Sequence, residues 1–90
     1  MAQGKPITNL ERSSDYGALQ RVVDTLFAHN EKTVRRIEVV VLAESLDLPQ
    51  DLVEIVCLLP SGTYSRQALC DQLNSSIAGH AWGQVYGTVE

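Results

Sequence analysis

The side chains that carry most acid–base, nucleophilic and metal-binding chemistry in proteins are few and widely separated in this sequence. His29 and His80 lie far apart in the chain. Cys57 and Cys70 are too distant to form a C-x-x-C pair, and both fall on apolar stripes of predicted helices, where we expect buried thiols. The sequence contains no Gly-rich phosphate loop and no HExxH or G-x-S-x-G motif. It therefore predicts a protein that is not an enzyme and that holds no cofactor and no metal.

Residues suited to binding form two groups. Trp82 and Tyr86 stand close together in a chain that is poor in aromatic residues. If exposed, the two rings could anchor a protein partner; if buried, they would close a small core. Lys32, Arg35 and Arg36 form the only basic cluster, and the two arginines could supply charged contacts at the rim of an interface. We expect binding to another protein or to a second copy of the chain. The candidate contacts are Arg35, Arg36, Trp82 and Tyr86.

The composition is typical of one small globular domain. The 90 residues are 44% hydrophobic and 20% charged, and their formal net charge is −4. That acidic balance works against nonspecific binding to nucleic acid, which needs clustered Lys and Arg. Uninterrupted apolar runs such as residues 39–43 are far too short to span a membrane, and the N-terminal stretch lacks the apolar core of a secretory signal. We expect a cytoplasmic protein with a flexible N-terminal tail over residues 1–13 and a single globular domain over residues 14–90.

Apolar residues at helical spacing predict helices over roughly residues 15–30 and 66–78. Another helix begins near residue 50, where Asp47 could act as its N-cap. Farther along, three glycines in the stretch from Gly79 to Gly87 disfavour a helix at the C-terminus. A short strand or hairpin is therefore the better prediction there.

Residues 33–46 fit two structures. Arg36–Leu42 is rich in β-branched side chains, as a strand would be. On a helical wheel the apolar residues instead spread around most of the circumference, as in a buried helix. We favour a mainly α fold of three to four helices with a short C-terminal β-strand or hairpin. The alternative is a small α/β fold in which Arg36–Leu42 is a strand that pairs with residues 84–89.

Residues 42–56 resemble a helix-turn-helix motif. Ala43 would be the small residue where the two helices touch, and Asp47 stands at the turn position where the motif usually has glycine. If a further helix and a C-terminal hairpin follow, the resemblance extends to a winged helix that reaches residue 89. The apolar residues that would lock the two helices together are Leu42, Leu46, Leu48, Val53 and Val56.

This resemblance implies an alternative function, a transcriptional regulator that binds DNA. The second helix of the motif offers carboxylates and no cation, so a later helix that begins near Arg66 and Gln67 would read the bases. Arg35 and Arg36 would hold phosphates, and a hairpin around Gln84 would be the wing. The candidate DNA contacts are Arg35, Arg36, Tyr64, Arg66, Gln67 and Gln84.

Overall fold

Four helices and one two-stranded sheet make up the part of the chain that the computed structural model describes, residues 15–80 and 86–90. The elements in chain order are α1 (Ala18–Leu26), β1 (Val34–Arg35), α2 (Arg36–Ser45), α3 (Gln50–Cys57), β2 (Thr63–Tyr64) and α4 (Arg66–Gly79). The predicted fold class, mainly α with a short β element, is confirmed.

The β element lies elsewhere than the sequence indicated. β1 and β2 pair antiparallel, with Val34 opposite Tyr64 and Arg35 opposite Thr63. Among the last residues, 86–90 contain no strand, and residues 81–85 lie outside the described part of the chain. The predicted C-terminal strand is therefore absent from residues 86–90, and the rest of that prediction lies outside the described residues. The sheet that the structure describes joins two segments that are distant in the sequence.

The alternative strand over residues 36–42 is wrong, because α2 begins at Arg36. The Glu38 carboxylate reaches back to accept a 2.7 Å hydrogen bond from the Arg35 backbone N–H, which satisfies a donor at the helix start. Val39 and Ala43, one turn apart, then bury the inner side of the helix. Local capping and helical burial outweigh the β preference of the branched side chains.

A tight turn connects α2 to α3. Asp47 adopts a left-handed conformation with φ of 54°, and the Leu48 backbone N–H donates to the Ala43 carbonyl at 3.3 Å. The prediction that Asp47 caps α3 is wrong, because the N-cap is Pro49, two residues later. Asp47 instead takes the backbone conformation that glycine adopts most readily.

The core is formed by one side of each helix together with the sheet and Val89. Ser65 caps the start of α4 by accepting a 3.1 Å hydrogen bond from the Ala68 N–H. The apolar side of this helix faces the centre. The buried core residues include Leu19, Val22, Val23, Val39, Leu52, Ile55, Val56, Leu69, Leu73 and Ile77.

Candidate interaction surface

The outer side of α2 is apolar. Ile37 and Val41 lie one turn apart, and each is 53% exposed. Val39 and Ala43, on the opposite side of the same helix, are fully buried. The helix is therefore apolar on both sides, but the described elements cover only the inner one.

An open groove of about 350 Å³ runs along this outer side. The Ser45 hydroxyl at its end donates to the Val41 carbonyl at 2.8 Å, so this polar group is already satisfied within the helix. A ligand in the groove would therefore meet a mostly apolar surface. The lining residues, which we call the α2 face, are Ile37, Glu38, Val41, Leu42 and Ser45.

Carboxylates flank the α2 face. Because successive helical residues are rotated by about 100°, Glu38 and Glu44 point about 60° to either side of Val41. Both are exposed. The Arg35 guanidinium lies 3.9 Å from Glu38, at the N-terminal end of the helix. The face thus has an apolar centre, an acidic rim on both sides and a cation at one end.

The two arginines of the predicted basic cluster have different positions. The Arg36 guanidinium donates to the Leu59 carbonyl at 2.7 Å and to the Cys57 carbonyl at 2.9 Å. It therefore satisfies carbonyls at the C-terminal end of α3, where no further helical N–H group is available to donate to them. Arg35 is exposed and pairs with Glu38. Only Arg35 of the two points its charge toward solvent.

Arg66, the predicted base-reading residue, lies in a network with other parts of the chain. Its guanidinium donates to Asp24 at 2.6 Å and to the Glu90 carbonyl at 2.8 and 3.2 Å. The same group lies 6.0 Å from the centre of the Phe27 ring. Hydrogen bonds from Gln20 and Arg66 lower the pKa of the Asp24 carboxyl. Arg66 thus joins α1, α4 and the last residues of the chain.

Among the other predicted DNA contacts, Gln67 borders the same open space as Arg66. Tyr64 is buried, and its hydroxyl donates to the Pro60 carbonyl. Gln67 is exposed and donates to Asp71 of the same helix at 2.9 Å. Gln84 lies outside the described residues.

One residue of the predicted aromatic pair can be placed. The Tyr86 ring is half-buried, and its hydroxyl donates to the Asp51 carboxylate at 2.9 Å. Desolvation and then this carboxylate raise the pKa of Tyr86. The ring thus packs against the helices, and its hydroxyl links the C-terminal residues to α3. Trp82 lies outside the described residues.

The cysteines differ from each other in burial. Cys70 is buried as predicted, and desolvation raises the pKa of its thiol. The prediction that Cys57 is buried is wrong, because Cys57 is exposed. It directly follows Val56, so when Leu52 and Val56 face the core, Cys57 points away from it. Across residues 15–80 and 86–90, no three His, Cys, Asp or Glu side chains come together as a metal site would require.

The sequence did not indicate the α2 face, since it singled out only Leu42 of these residues, and that as a contact between two helices. Its signal was present in the apolar residues that surround the whole predicted helix. We interpreted that pattern as a buried helix, whereas the residues that the structure describes bury only one side of it.

Comparisons with protein-family models, with curated proteins and with solved structures gave no match to this chain. Of the helices in the described residues, none has the length and apolarity needed to cross a membrane.

Proposed function

We propose that this protein is a non-enzymatic interaction domain whose α2 face binds a helix of another protein. The observation that carries the proposal is the exposure of Ile37 and Val41 on a helix whose other side is already fully buried. Full burial of an aliphatic side chain of this size contributes about 1.5–3 kcal/mol. Because each of the two residues is already about half buried, a partner that covers both gains about half of that for each.

The shape of the α2 face suits a helix. An amphipathic helix binds an apolar groove through side chains spaced three and four positions apart. The apolar side chains on the outer side of α2 have the same helical spacing. The groove of the α2 face is shallow and open to solvent, and Ile37 and Val41, which have this spacing, line it together with Leu42.

The charges around the groove favour a basic partner. Glu38 and Glu44 flank the apolar centre, so Lys or Arg residues beside the partner's apolar ridge would face carboxylates. A second copy of α2 suits the face less well. An antiparallel pair of α2 helices centred on Val41 would lay Glu44 of each copy against Ile37 of the other. Glu38 and Glu44 of the two copies would then occupy all four edges of the contact between the helices.

A pair of designed helical peptides tests this function. Both carry leucines at positions i and i+4; one has lysines beside them and the other glutamates. We expect the lysine peptide to shift the backbone amide NMR signals of α2, with weaker binding as salt rises. Val41→Asp should reduce its affinity at least tenfold, since about 1.4 kcal/mol of lost burial corresponds to that factor.

Leu58→Asp is the matched control. Leu58 is 56% exposed and does not line the groove, so this variant adds the same charge elsewhere and should bind the lysine peptide normally. Shifts that avoid α2, or equal binding of the lysine and glutamate peptides, would contradict the proposal.

A second candidate function is that of a helix-turn-helix DNA-binding protein. It is supported by the left-handed turn at Asp47, which closes α2 against α3 at the position where the motif usually has glycine. Against it stands the Arg66 guanidinium, which is bound by Asp24 and by the Glu90 carbonyl and would have to leave both to reach a base.

Titration with mixed-sequence duplex DNA at low salt separates the two functions. The DNA-binding function predicts shifts in α4 that fade steeply as salt rises. It also predicts that Arg66→Ala weakens binding by roughly 1–3 kcal/mol. A spectrum that does not move at saturating DNA would eliminate this candidate and leave the interaction domain.

A further inference from the structure

Residues 86–90, which we call the tail, lie between α1 and α4 and are held through their main chain. The Asn74 side-chain amide donates to the Val89 carbonyl and accepts from the Val89 N–H, both at 2.8 Å. Gln20 does the same for Glu90, with both hydrogen bonds at 2.9 Å. The main chain of Val89 therefore forms hydrogen bonds toward α4, and that of Glu90 forms them toward α1. Successive residues of a central β-strand alternate between their two neighbouring strands in the same way.

The side chains of the tail alternate in the same way. Val89 is 5% exposed and belongs to the hydrophobic core, whereas Thr88 and Glu90 on either side of it are exposed. Arg66 adds two hydrogen bonds to the Glu90 carbonyl. The tail is thus recognised by amide and guanidinium groups along the main chain and by one buried valine.

Gly87 completes the fit. Its φ is +86°, and a Cβ atom at this position would lie 3.1 Å from the Tyr16 ring. The backbone N–H of Gly17 also donates to the Tyr86 carbonyl at 3.0 Å. Every contact described so far comes from α1, α3, α4 or the turn before α1, so these elements together form the surface against which the tail lies. We call the part of it formed by Gln20, Arg66 and Asn74 the tail groove.

Recognition of this kind is that of a peptide-binding site. When an extended peptide is bound, hydrogen bonds to its main chain provide affinity, and a pocket for one side chain provides specificity. Here the amides of Asn74 and Gln20 take the place of neighbouring strands, and the core takes up Val89. An open space of about 450 Å³ beside the tail, bordered by α4, Val89 and Glu90, leaves room on that side for an incoming chain.

We propose that the tail groove also binds residues 86–90 of a second copy of this chain, so that two copies associate by exchanging tails. The structure shows one sequence seated in the groove, and every other copy carries that same sequence. Exchange replaces each contact by an identical one, so it breaks none of them. This association does not involve the α2 face and is independent of the function proposed above.

The expected strength follows from the short connection between α4 and the tail. Because few residues join α4 to the tail, the tail of the same copy has an effective concentration of roughly millimolar at the groove. A second copy therefore competes only at comparable concentrations. Exchange should accordingly depend on concentration, with dimers that dissociate on dilution.

Peptide displacement on the full, unchanged chain is the first test. The probe is an unlabelled, amidated peptide of residues 84–90, added to the isotope-labelled protein. We expect the Val89 and Glu90 amide signals to move to free-chain positions, half of them at about millimolar peptide. The same peptide with aspartate in place of Val89 should have no effect. Tail signals that stay in place at tenfold higher peptide would show that the groove does not exchange its occupant, and would overturn the proposal.

Two full-length variants then test the second copy. Asn74→Ala damages the groove and keeps the tail; Val89→Asp damages the tail and keeps the groove. When they are mixed, we expect heterodimers of twice the chain mass and a melting temperature above that of either variant alone. If the mass and the melting temperatures of the mixture are those of the two separate variants, tail exchange is overturned. Val41→Asp, which removes the α2 face, should leave both results unchanged.

Discussion

Two arginines that are neighbours in the sequence contribute to the molecule in different ways. Arg36 is half-buried and donates to the Leu59 and Cys57 carbonyls, so its charge is used within the fold. Arg35 is exposed, and its pairing with Glu38 at 3.9 Å is of the surface type that adds little to stability. The sequence could indicate a basic cluster but could not separate these positions, because the separation depends on where α3 ends.

Alanine substitutions should separate the two arginines. Arg36→Ala removes two hydrogen bonds from a charged donor to carbonyls at a helix end, and should reduce the free energy of unfolding by about 2 kcal/mol. Arg35→Ala should change it by less than about 0.5 kcal/mol. Urea unfolding of both variants measures the difference. Equal losses would mean that Arg36 does not hold the end of α3.

At the scale of elements, the sequence predicted where helices form better than it predicted strand pairing or which side of a helix is covered. Periodic apolar residues located α4 well, and this signal is local. The sheet could not be foreseen, because Val34 and Tyr64 come together only through the packing of the helices between them. The α2 face was also missed. A helical wheel shows which residues are apolar, but it does not show which side the rest of the chain covers.

The two sides of α2 should respond differently to the same substitution. Val39→Ala opens a cavity in a fully buried position and should reduce the free energy of unfolding by about 2 kcal/mol. Val41→Ala trims an exposed side chain and should change stability by less than about 0.5 kcal/mol. Thermal unfolding of the isolated protein tests this pair. A large loss for Val41→Ala would place that residue inside the fold and remove the α2 face.

For the whole molecule, the buried titratable groups predict a stability limit at alkaline pH. Burial raises the pKa of Cys70, and burial together with Asp51 raises the pKa of Tyr86, relative to ordinary values of 9.0 and 10.0. Folding therefore favours the neutral thiol and the neutral phenol. Their contribution is fully present below the ordinary pKa values and is lost as pH rises through the raised ones.

We accordingly expect the melting temperature to fall as pH rises above about 9. Tyr86→Phe removes the phenol that would otherwise ionise beside Asp51, so its melting temperature should fall less steeply over the same range. Calorimetry of the two proteins between neutral and alkaline pH, under reducing conditions, makes the comparison. Parallel curves would show that Tyr86 does not contribute to the limit.

The sheet also has a consequence for partial opening of the molecule. By joining Val34 to Tyr64, β1 and β2 close a loop that contains all of α2 and α3, whereas α1, α4 and the tail lie outside it. Cooperative units of opening often follow such boundaries, and protection of amide hydrogens reveals them. Departure of the tail would then loosen the two outer helices before the enclosed pair. A copy whose tail has left would still present α2 to a partner, so tail exchange and helix binding can occur on the same molecule.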